Sequence, residues 1–560
     1  MNRMKRRDFF KTSGLIGLST ALPTSIIGAP EVFTKSRAIK QSAGGGELIF
    51  EPVMVQKGRG PNLYPLAWTT DKDWDTFYSD IEIKDNIIKV IDTKDEKKFG
   101  INVRWNVEGF GYTNITADNG GNFYEVPPFG KSKTLLLNYE FALSRVARNK
   151  KRFSKFLSDG WLPSKELRTY FSLSEELLED SEKKRNDKEK CAELSQKSLM
   201  YAMWAGEILE LEKANFDIAK MGTREGFFFG CDARSFYQMY QDTFLDRFSE
   251  VFNFANITFV AKGDGMMSDY QSSQGVINPE SRELLIKKLA ERNIKSQERL
   301  LFWFHDCCIP DWLRNMKYDE LLKYAEKLTT DTMKRFGDSL YAMEVVNEIH
   351  DWANELLLTP EQITELTRLI NDTAKSISPN VKRTVNNCCP FAEYVQMKSY
   401  SGKKATMKQR SPYKFSKDLI EAGIDFDILE QQMYYPYRDL QDSIIIMENL
   451  ASLGKPMQIS EIGVSGGPTN ETIKTGKAEM PNEPPLWHRY WDEQTQADWL
   501  EDTYTLYYSK PFIKAINWFD LIDPGSFMQN GGILRTVKGE KKEAFHRLQK
   551  LQNRLGHKIG

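Results

Sequence analysis

Two glutamates stand where apolar, strand-like runs stop. Tyr341-Ala342-Met343-Glu344-Val345-Val346 closes on Asn347-Glu348, and Pro456-Met457-Gln458-Ile459-Ser460 closes on Glu461 before Ile462-Gly463. If both runs belong to one closed parallel sheet, their last residues project into a common mouth. Two carboxyls in such a mouth suit cleavage of a glycosidic bond: a protonated one serves the leaving oxygen while an ionised one faces the anomeric carbon. Asn347 can hold a sugar 2-hydroxyl beside Glu348, which then reads as acid/base, with Glu461 as nucleophile. A lone strand-end Glu would read as a salt-bridged surface residue. Two of them, one preceded by Asn, make a more specific constellation.

The elements that must position this pair recur from residue 226 onward. Strand candidates centre near Phe229, Thr258, Trp303, Val346, Val385, Gln431, Ser460 and Asn517, and each precedes a helical stretch. Their spacing of about 40 residues is that of a βα unit. Helices are expected over residues 281–291, 318–336 and 359–376, the last with Thr359 as N-cap and Pro360 at the first helical position. The pattern predicts an α/β fold, a (β/α)8 TIM barrel over residues 216–556, with Glu348 ending strand 4 and Glu461 ending strand 7. The lack of a Gly-rich phosphate loop after the first strand argues against a doubly wound sheet. Upstream, residues 48–145 alternate with period two, as in Ile87-Ile88-Lys89-Val90-Ile91 and Ile101-Asn102-Val103-Arg104-Trp105. They read as an antiparallel β-sandwich and a candidate carbohydrate-binding module. Residues 146–215 switch to helical spacing and read as a helical connector, with a mixed-charge solvated face near residues 175–190.

Charge argues against a nucleic-acid partner. The formal net charge is −1, and residues 1–30 carry five basic residues against one acid, so subtracting their +4 leaves −5 for the remainder. Phosphate backbones demand a basic surplus. Lys5-Arg6-Arg7-Asp8-Phe9-Phe10-Lys11, a weakly apolar run and Gly28-Ala29-Pro30 resemble a bacterial twin-arginine-type signal peptide over residues 1–30. A linker over residues 31–47 follows, and the expected location is periplasmic or extracellular. No stretch approaches the ~20 apolar residues of a membrane helix and no cysteine follows the signal, so no membrane anchor is expected. Cysteines stand at 191, 231, 307, 308, 388 and 389 without a CxxC spacing, so neither a metal site nor another cofactor is expected. Adjacent cysteines rarely bond each other, and these read as buried thiols. If the loops after strands 3 and 5 meet over strand 4, a disulfide would join one residue of Cys307-Cys308 to one of Cys388-Cys389.

Over roughly residues 226–550 the chain resembles glycoside hydrolase family 10, whose members are chiefly endo-β-1,4-xylanases. Val345-Val346-Asn347-Glu348 looks like the family's acid/base motif and Ile459-Ser460-Glu461-Ile462 like its nucleophile motif. Phe302-Trp303-Phe304-His305, with Pro310-Asp311-Trp312 beyond, is similar to the strand 3 segment whose His lines the subsite of the reacting sugar. Glu430-Gln431-Gln432-Met433-Tyr434 resembles the strand 6 segment, with Gln432 at the family's Gln and Tyr434 where the family has His. Ile516-Asn517-Trp518-Phe519-Asp520, with Asp523 after it, resembles strand 8, whose Trp is a platform under the same sugar, and Lys542-Glu543-Ala544-Phe545 looks like the closing helix segment. The resemblance implies a retaining, endo-β-1,4-xylanase-like hydrolase of polysaccharides, working by double displacement through a covalent glycosyl-enzyme. It implies Glu348 and Glu461 as catalytic and His305, Asn347, Gln432, Tyr434 and Trp518 as substrate-binding residues.

Strand 2 departs from the family: Ile257-Thr258-Phe259-Val260-Ala261-Lys262-Gly263-Asp264 lacks the Glu-Asn and Lys-Trp groups that clamp xylose units. Xylan is therefore expected to be a poor substrate. Lys262 is a candidate contact for an anionic sugar or a partner of Asp264. Trp352 is a candidate outer platform, while Trp487, Trp491 and Trp499 either cover the cleft or anchor the segment after strand 7. The alternatives are a catalytically silent carbohydrate-binding barrel, a glycosidase of the same clan for another, anionic polysaccharide, and a transglycosylase sharing the same intermediate.

Overall fold

The computed structural model describes residues 46–559 except 56–62, 64–65, 95, 264–267, 351–352, 401–402, 435–437 and 468–485. The signal segment, Trp352 and Asp264 lie outside the described residues, as does all of the linker but its last two positions.

Eight strands come first: β1 (Glu47–Glu51), β2 (Ala67–Thr70), β3 (Thr76–Phe77), β4 (Asp80–Lys84), β5 (Ile87–Asp92), β6 (Gly100–Val107), β7 (Gly111–Ala117) and β8 (Ser132–Leu136). They form two four-stranded sheets, ordered β4-β5-β1-β8 and β3-β2-β6-β7. Alternation does the sorting, with Leu48 and Phe50 of β1 and Ile88 and Val90 of β5 buried while their neighbours are half-buried. The expectation of a purely antiparallel sandwich needs correction, because β8 runs parallel to β1. No hairpin joins these two strands, and only a tight hairpin obliges neighbours to be antiparallel. The helical segment also begins before residue 146. Helix α1 (Leu137–Ser158) follows β8 directly, and α2 (Lys165–Lys183) and α3 (Lys188–Met221) complete it. Leu137 and Phe141 of α1 and Leu199 and Met203 of α3 join Phe50, Ile101 and Trp105 in one core.

The barrel strands are β9 (Phe228–Asp232), β10 (Phe254–Thr258), β11 (Lys295–Arg299), β12 (Ala342–Asn347), β13 (Lys382–Asn387), β14 (Ile428–Gln432), β15 (Met457–Ile462) and β16 (Ile513–Trp518). They close in that order, with β16 pairing β9 in parallel. Helix α4 (Tyr318–Phe336) has the expected span, and α5 (Pro360–Ile377) opens as the sequence predicts. The Gln362 amide N–H donates to Thr359 Oγ1 (3.2 Å) and the Thr359 N–H to Gln362 Oε1 (2.9 Å), which satisfies donors that a helix start leaves open.

The third barrel strand is not the aromatic run around Trp303 but the polar run Lys295-Ser296-Gln297-Glu298-Arg299. Apolar periodicity misses it because its inward side chains meet polar partners. Gln297 Nε2 donates to Glu430 Oε1 (2.7 Å) and Arg299 Nε to Glu344 Oε2 (2.8 Å). The apolar mass lies instead between strands and outer helices, where Phe229, Val345, Leu366, Ile370, Met447 and Tyr504 share one cluster.

A buried charged cluster seats the sandwich and α1 on the barrel. Asp442, in helix α6 (Leu440–Ala451), accepts from Arg148 Nη1 (3.0 Å), Arg438 Nη1 (3.0 Å) and Arg145 Nη1 (3.3 Å). Arg438, fully buried, also donates to Asn102 of β6 (3.0 Å) and Thr116 of β7 (3.1 Å).

Candidate active site

The strands bearing the two glutamates each carry one more residue than a neighbour. Between Glu344 and Val346 the register of β12 against β13 slips by one, and β15 slips against β14 and β16 around Ser460. Such bulges re-aim side chains. Here Glu344 and Asn347 both face the barrel axis, and Glu461 comes level with Gln432. Glu348 follows β12 with φ 54°, a left-handed conformation that costs a non-glycine residue energy and is held from outside. Its N–H donates to the Asn386 carbonyl (3.0 Å), and its own carbonyl accepts from Ala353 N–H (3.0 Å).

Both carboxyls are nearly buried, Glu348 at 7% and Glu461 at 8% exposure. Glu348 Oε1 accepts from Gln432 Nε2 (2.6 Å) and Oε2 from the indole N–H of Trp303 (2.8 Å). Glu461 Oε1 accepts from Arg299 Nη2 (2.7 Å) and Oε2 from the Tyr434 hydroxyl (2.9 Å). The two environments differ in kind. Burial, then the negative charge of Glu461, pushes the Glu348 carboxyl up to about 7, against the pull of its two neutral donors. Glu461 instead has a full cation in contact. Burial opposes charge on that guanidinium, but the Glu344 and Glu461 carboxylates outweigh it and hold Arg299 protonated. Burial and the neighbouring Glu461 push the Tyr434 hydroxyl well above its ordinary range, so it remains a donor.

Of the residues chosen from the sequence, Glu348, Glu461, Gln432 and Tyr434 therefore meet. Asn347 lies in the same group, its Oδ1 taken by Asn386 Nδ2 (2.8 Å) and its Nδ2 buried without a hydrogen-bond partner among the described residues. His305 is placed beside the pair, with its ring stacked on Trp303 (5.0 Å between centroids, 17°) and its Nδ1 3.1 Å from Cys307 Sγ. It is Trp303 that touches Glu348.

Trp518 is a correction. Its indole is 0% exposed, packs against Trp499 and Tyr504 of helix α7 (Glu493–Tyr508), and donates to the Gly531 carbonyl (3.0 Å). Strand alternation points it at the helix layer, so it offers no face to a sugar. Trp487, Trp491 and Trp499 are likewise buried in the core. The cross-loop disulfide is also overturned: Cys307 and Cys308 bond to each other, and Cys388 and Cys389 are thiols in a separate buried cluster. A one-residue separation fixes the Cα atoms of Cys307 and Cys308 3.8 Å apart, and the loop turns sharply enough for the bond.

Several groups escaped sequence reasoning. Arg299 and Trp303 touch the catalytic pair, and Glu344 and Asn386 lie one contact further. Arg234 spans Asp232 at the end of β9 (2.9 Å) and Asp520 after β16, with its guanidinium over the Phe519 ring (4.5 Å). Long polar side chains at alternate positions of a barrel strand, as in Gln297 and Arg299, are the signal that could have found the first of these. Among the described residues no group of three His, Cys, Asp or Glu is placed to hold a metal ion, and no helix is long and apolar enough to cross a membrane.

A family model described as Glycosyl hydrolase family 10 matches residues 252–551, more than half of the chain. Solved structures similar to it include native xylanase 10B from Thermotoga maritima, at 16% identity and a TM-score of 0.45, covering 62% of this chain and 99% of that one. Xylanase 10B from Thermotoga petrophila in complex with xylobiose matches at 16% identity and 0.45, over 62% and 98%. Native xylanase10C from Cellvibrio japonicus matches at 14% identity and 0.44, over 62% and 74%.

Proposed function

Because this chain belongs to glycosyl hydrolase family 10 and is a glycoside hydrolase, we propose that it is a retaining, xylanase-like β-glycanase acting by double displacement. Glu348 gives its proton to the leaving oxygen while Glu461 attacks the anomeric carbon, breaking the glycosidic bond and forming a glycosyl ester. Water then attacks the same carbon, the ionised Glu348 takes its proton, and the Glu461 carboxylate leaves. The observation that carries this reading is the opposed setting of the two carboxyls: burial and Glu461 push Glu348 up to about 7, while Glu461 lies on Arg299. Pairs whose environments diverge in this way divide into acid and nucleophile. The Nδ2 of Asn347, without a partner among the described residues, supports a contact to the sugar 2-hydroxyl.

On specificity, β10 is followed by buried Phe259, Val260 and Ala261, with Lys262 exposed. This supports a weaker hold on xylose units than the family's polar strand 2 provides, with xylan cleaved but not preferred. Comparing kcat/KM on xylan, mixed-linkage glucan and anionic algal polysaccharides, with analysis of products, tests the reading. Release of reducing ends is expected on at least one. Binding without release on every polymer would return the protein to a silent carbohydrate-binding barrel. The Arg6-Arg7 pair and the modest apolar run after it support export from a bacterial cytoplasm, which cell fractionation would check.

A further inference from the structure

Asn386, on β13 next to the bulged β12, touches both bulged strands. Its Nδ2 donates to Glu344 Oε2 (2.8 Å) and to Asn347 Oδ1 (2.8 Å), its Oδ1 accepts from Ser460 Oγ (2.7 Å), and its carbonyl accepts from the Glu348 N–H (3.0 Å). Ser460 immediately precedes Glu461, and Glu344 carries the guanidinium that holds Glu461. One fully buried amide thus meets the acid/base side, the nucleophile side and the network behind them.

The consequence concerns which end of Asn347 faces the cleft. An amide presents an oxygen on one side and an NH2 on the other, and a sugar hydroxyl meets either. Asn386 Nδ2 can only donate, so it takes the Asn347 oxygen and leaves the Asn347 Nδ2 buried without a partner among the described residues. The orientation of Asn386 is fixed in turn, since Ser460 occupies its oxygen and Glu344, an acceptor, occupies its other donor position. Both Glu344 oxygens already accept, Oε2 from Arg299 Nε (2.8 Å) and Oε1 from the Leu300 N–H (2.9 Å), so it meets Asn386 as an acceptor.

Resting on the glycosidase reading above, we infer that Asn386 is a positioning residue: by fixing the Asn347 amide it commits this site to donating a hydrogen bond to the oxygen of the reacting sugar's 2-hydroxyl. A buried donor aimed where charge redistributes in the transition state is worth about 10²–10³-fold in rate, and Asn386 holds the amide that carries this donor.

The test uses the full-length protein with 2,4-dinitrophenyl β-xylobioside and its counterpart lacking the 2-hydroxyl on the reacting ring. For each enzyme the ratio of kcat/KM on the two probes is taken, so that the probes' intrinsic reactivity difference cancels between enzymes. In Asn386→Ala and in the near-isosteric Asn386→Asp the wild-type preference for the 2-hydroxyl should fall by about tenfold or more. Glu344→Gln keeps an acceptor for Asn386, so it should lower kcat through Arg299 and Glu461 while retaining that preference. An unchanged ratio in both Asn386 variants, with turnover intact or uniformly reduced, would overturn the inference and leave the glycosidase reading standing. Failure of the wild-type protein to turn over the hydroxylated probe would remove that reading, and the inference with it.

Discussion

Replacing Glu348 by Gln should make the protein more stable in alkaline solution and less stable in acid. The folded carboxyl sits at about 7 against an ordinary 4.5, a gap worth about 3 kcal/mol. A carboxyl raised on folding binds its proton more tightly in the native state. Its favourable contribution is therefore fully present below about 4.5 and is lost as pH rises through about 7. Gln cannot ionise, so it escapes that loss. It also has a cost: both oxygens of Glu348 now accept, one from Gln432 and one from Trp303, and the Gln NH2 must face one of these donors. That forfeits a buried hydrogen bond, about 1–2 kcal/mol. The balance is a net gain of about 1–2 kcal/mol above pH ~8 and a net loss of similar size below pH ~4. Thermal midpoints of both proteins in parallel buffers would read this as a difference that changes sign. The same displacement by Gln at both pH values would refute the assignment of a burial-raised carboxyl to this position. In wild-type enzyme, kcat/KM should fall as pH rises through about 7, when the acid loses its proton.

Other changes separate roles. Glu461→Gly should abolish turnover, with azide restoring it and giving an inverted product, whereas Glu348→Ala should spare substrates with good leaving groups; identical responses would reverse or void the assignment. Trp518→Ala should cost about 3–5 kcal/mol of stability as a core cavity, seen as a lowered thermal midpoint, while the KM of the folded fraction stays near wild type; a selective rise in KM would restore the platform role. Asp442→Ala strips the shared partner from Arg145, Arg148 and Arg438 and should cost about 3–5 kcal/mol, with sandwich and barrel loosening together in one transition rather than the sandwich melting alone.

The parts legible in the sequence were those where periodicity and chemistry agree. The runs ending at Glu348 and Glu461 are rich in apolar residues, among them Met343, Val345, Val346, Met457 and Ile459, which pack in the main core, and their polar termini mark the mouth. The Thr359-Pro360-Glu361-Gln362 cap is local chemistry that needs no tertiary context. The third barrel strand was hidden because Gln297 and Arg299 find their partners on distant strands, Glu430, Glu344 and Glu461 among them. The same property hid Arg299 as a neighbour of the nucleophile. Trp518 misled for the opposite reason: a tryptophan at a strand end reads alike whether it points to the cleft or to the helices, and a bulge upstream decides which. Adjacent cysteines carry no signal for the loop geometry that lets Cys307 and Cys308 bond.

The central claim is that Glu461 becomes covalently glycosylated during turnover. Incubation with 2,4-dinitrophenyl 2-deoxy-2-fluoro-β-xylobioside slows release of the intermediate more than its formation, because the fluorine destabilises both transition states while the leaving group drives the first step. Peptide mapping of the trapped enzyme by mass spectrometry should find one fluoroglycosyl unit on Glu461, absent from Glu461→Gly and present in wild type. Stoichiometric release of dinitrophenol with the label on another residue, or steady turnover with no label at all, would contradict the account.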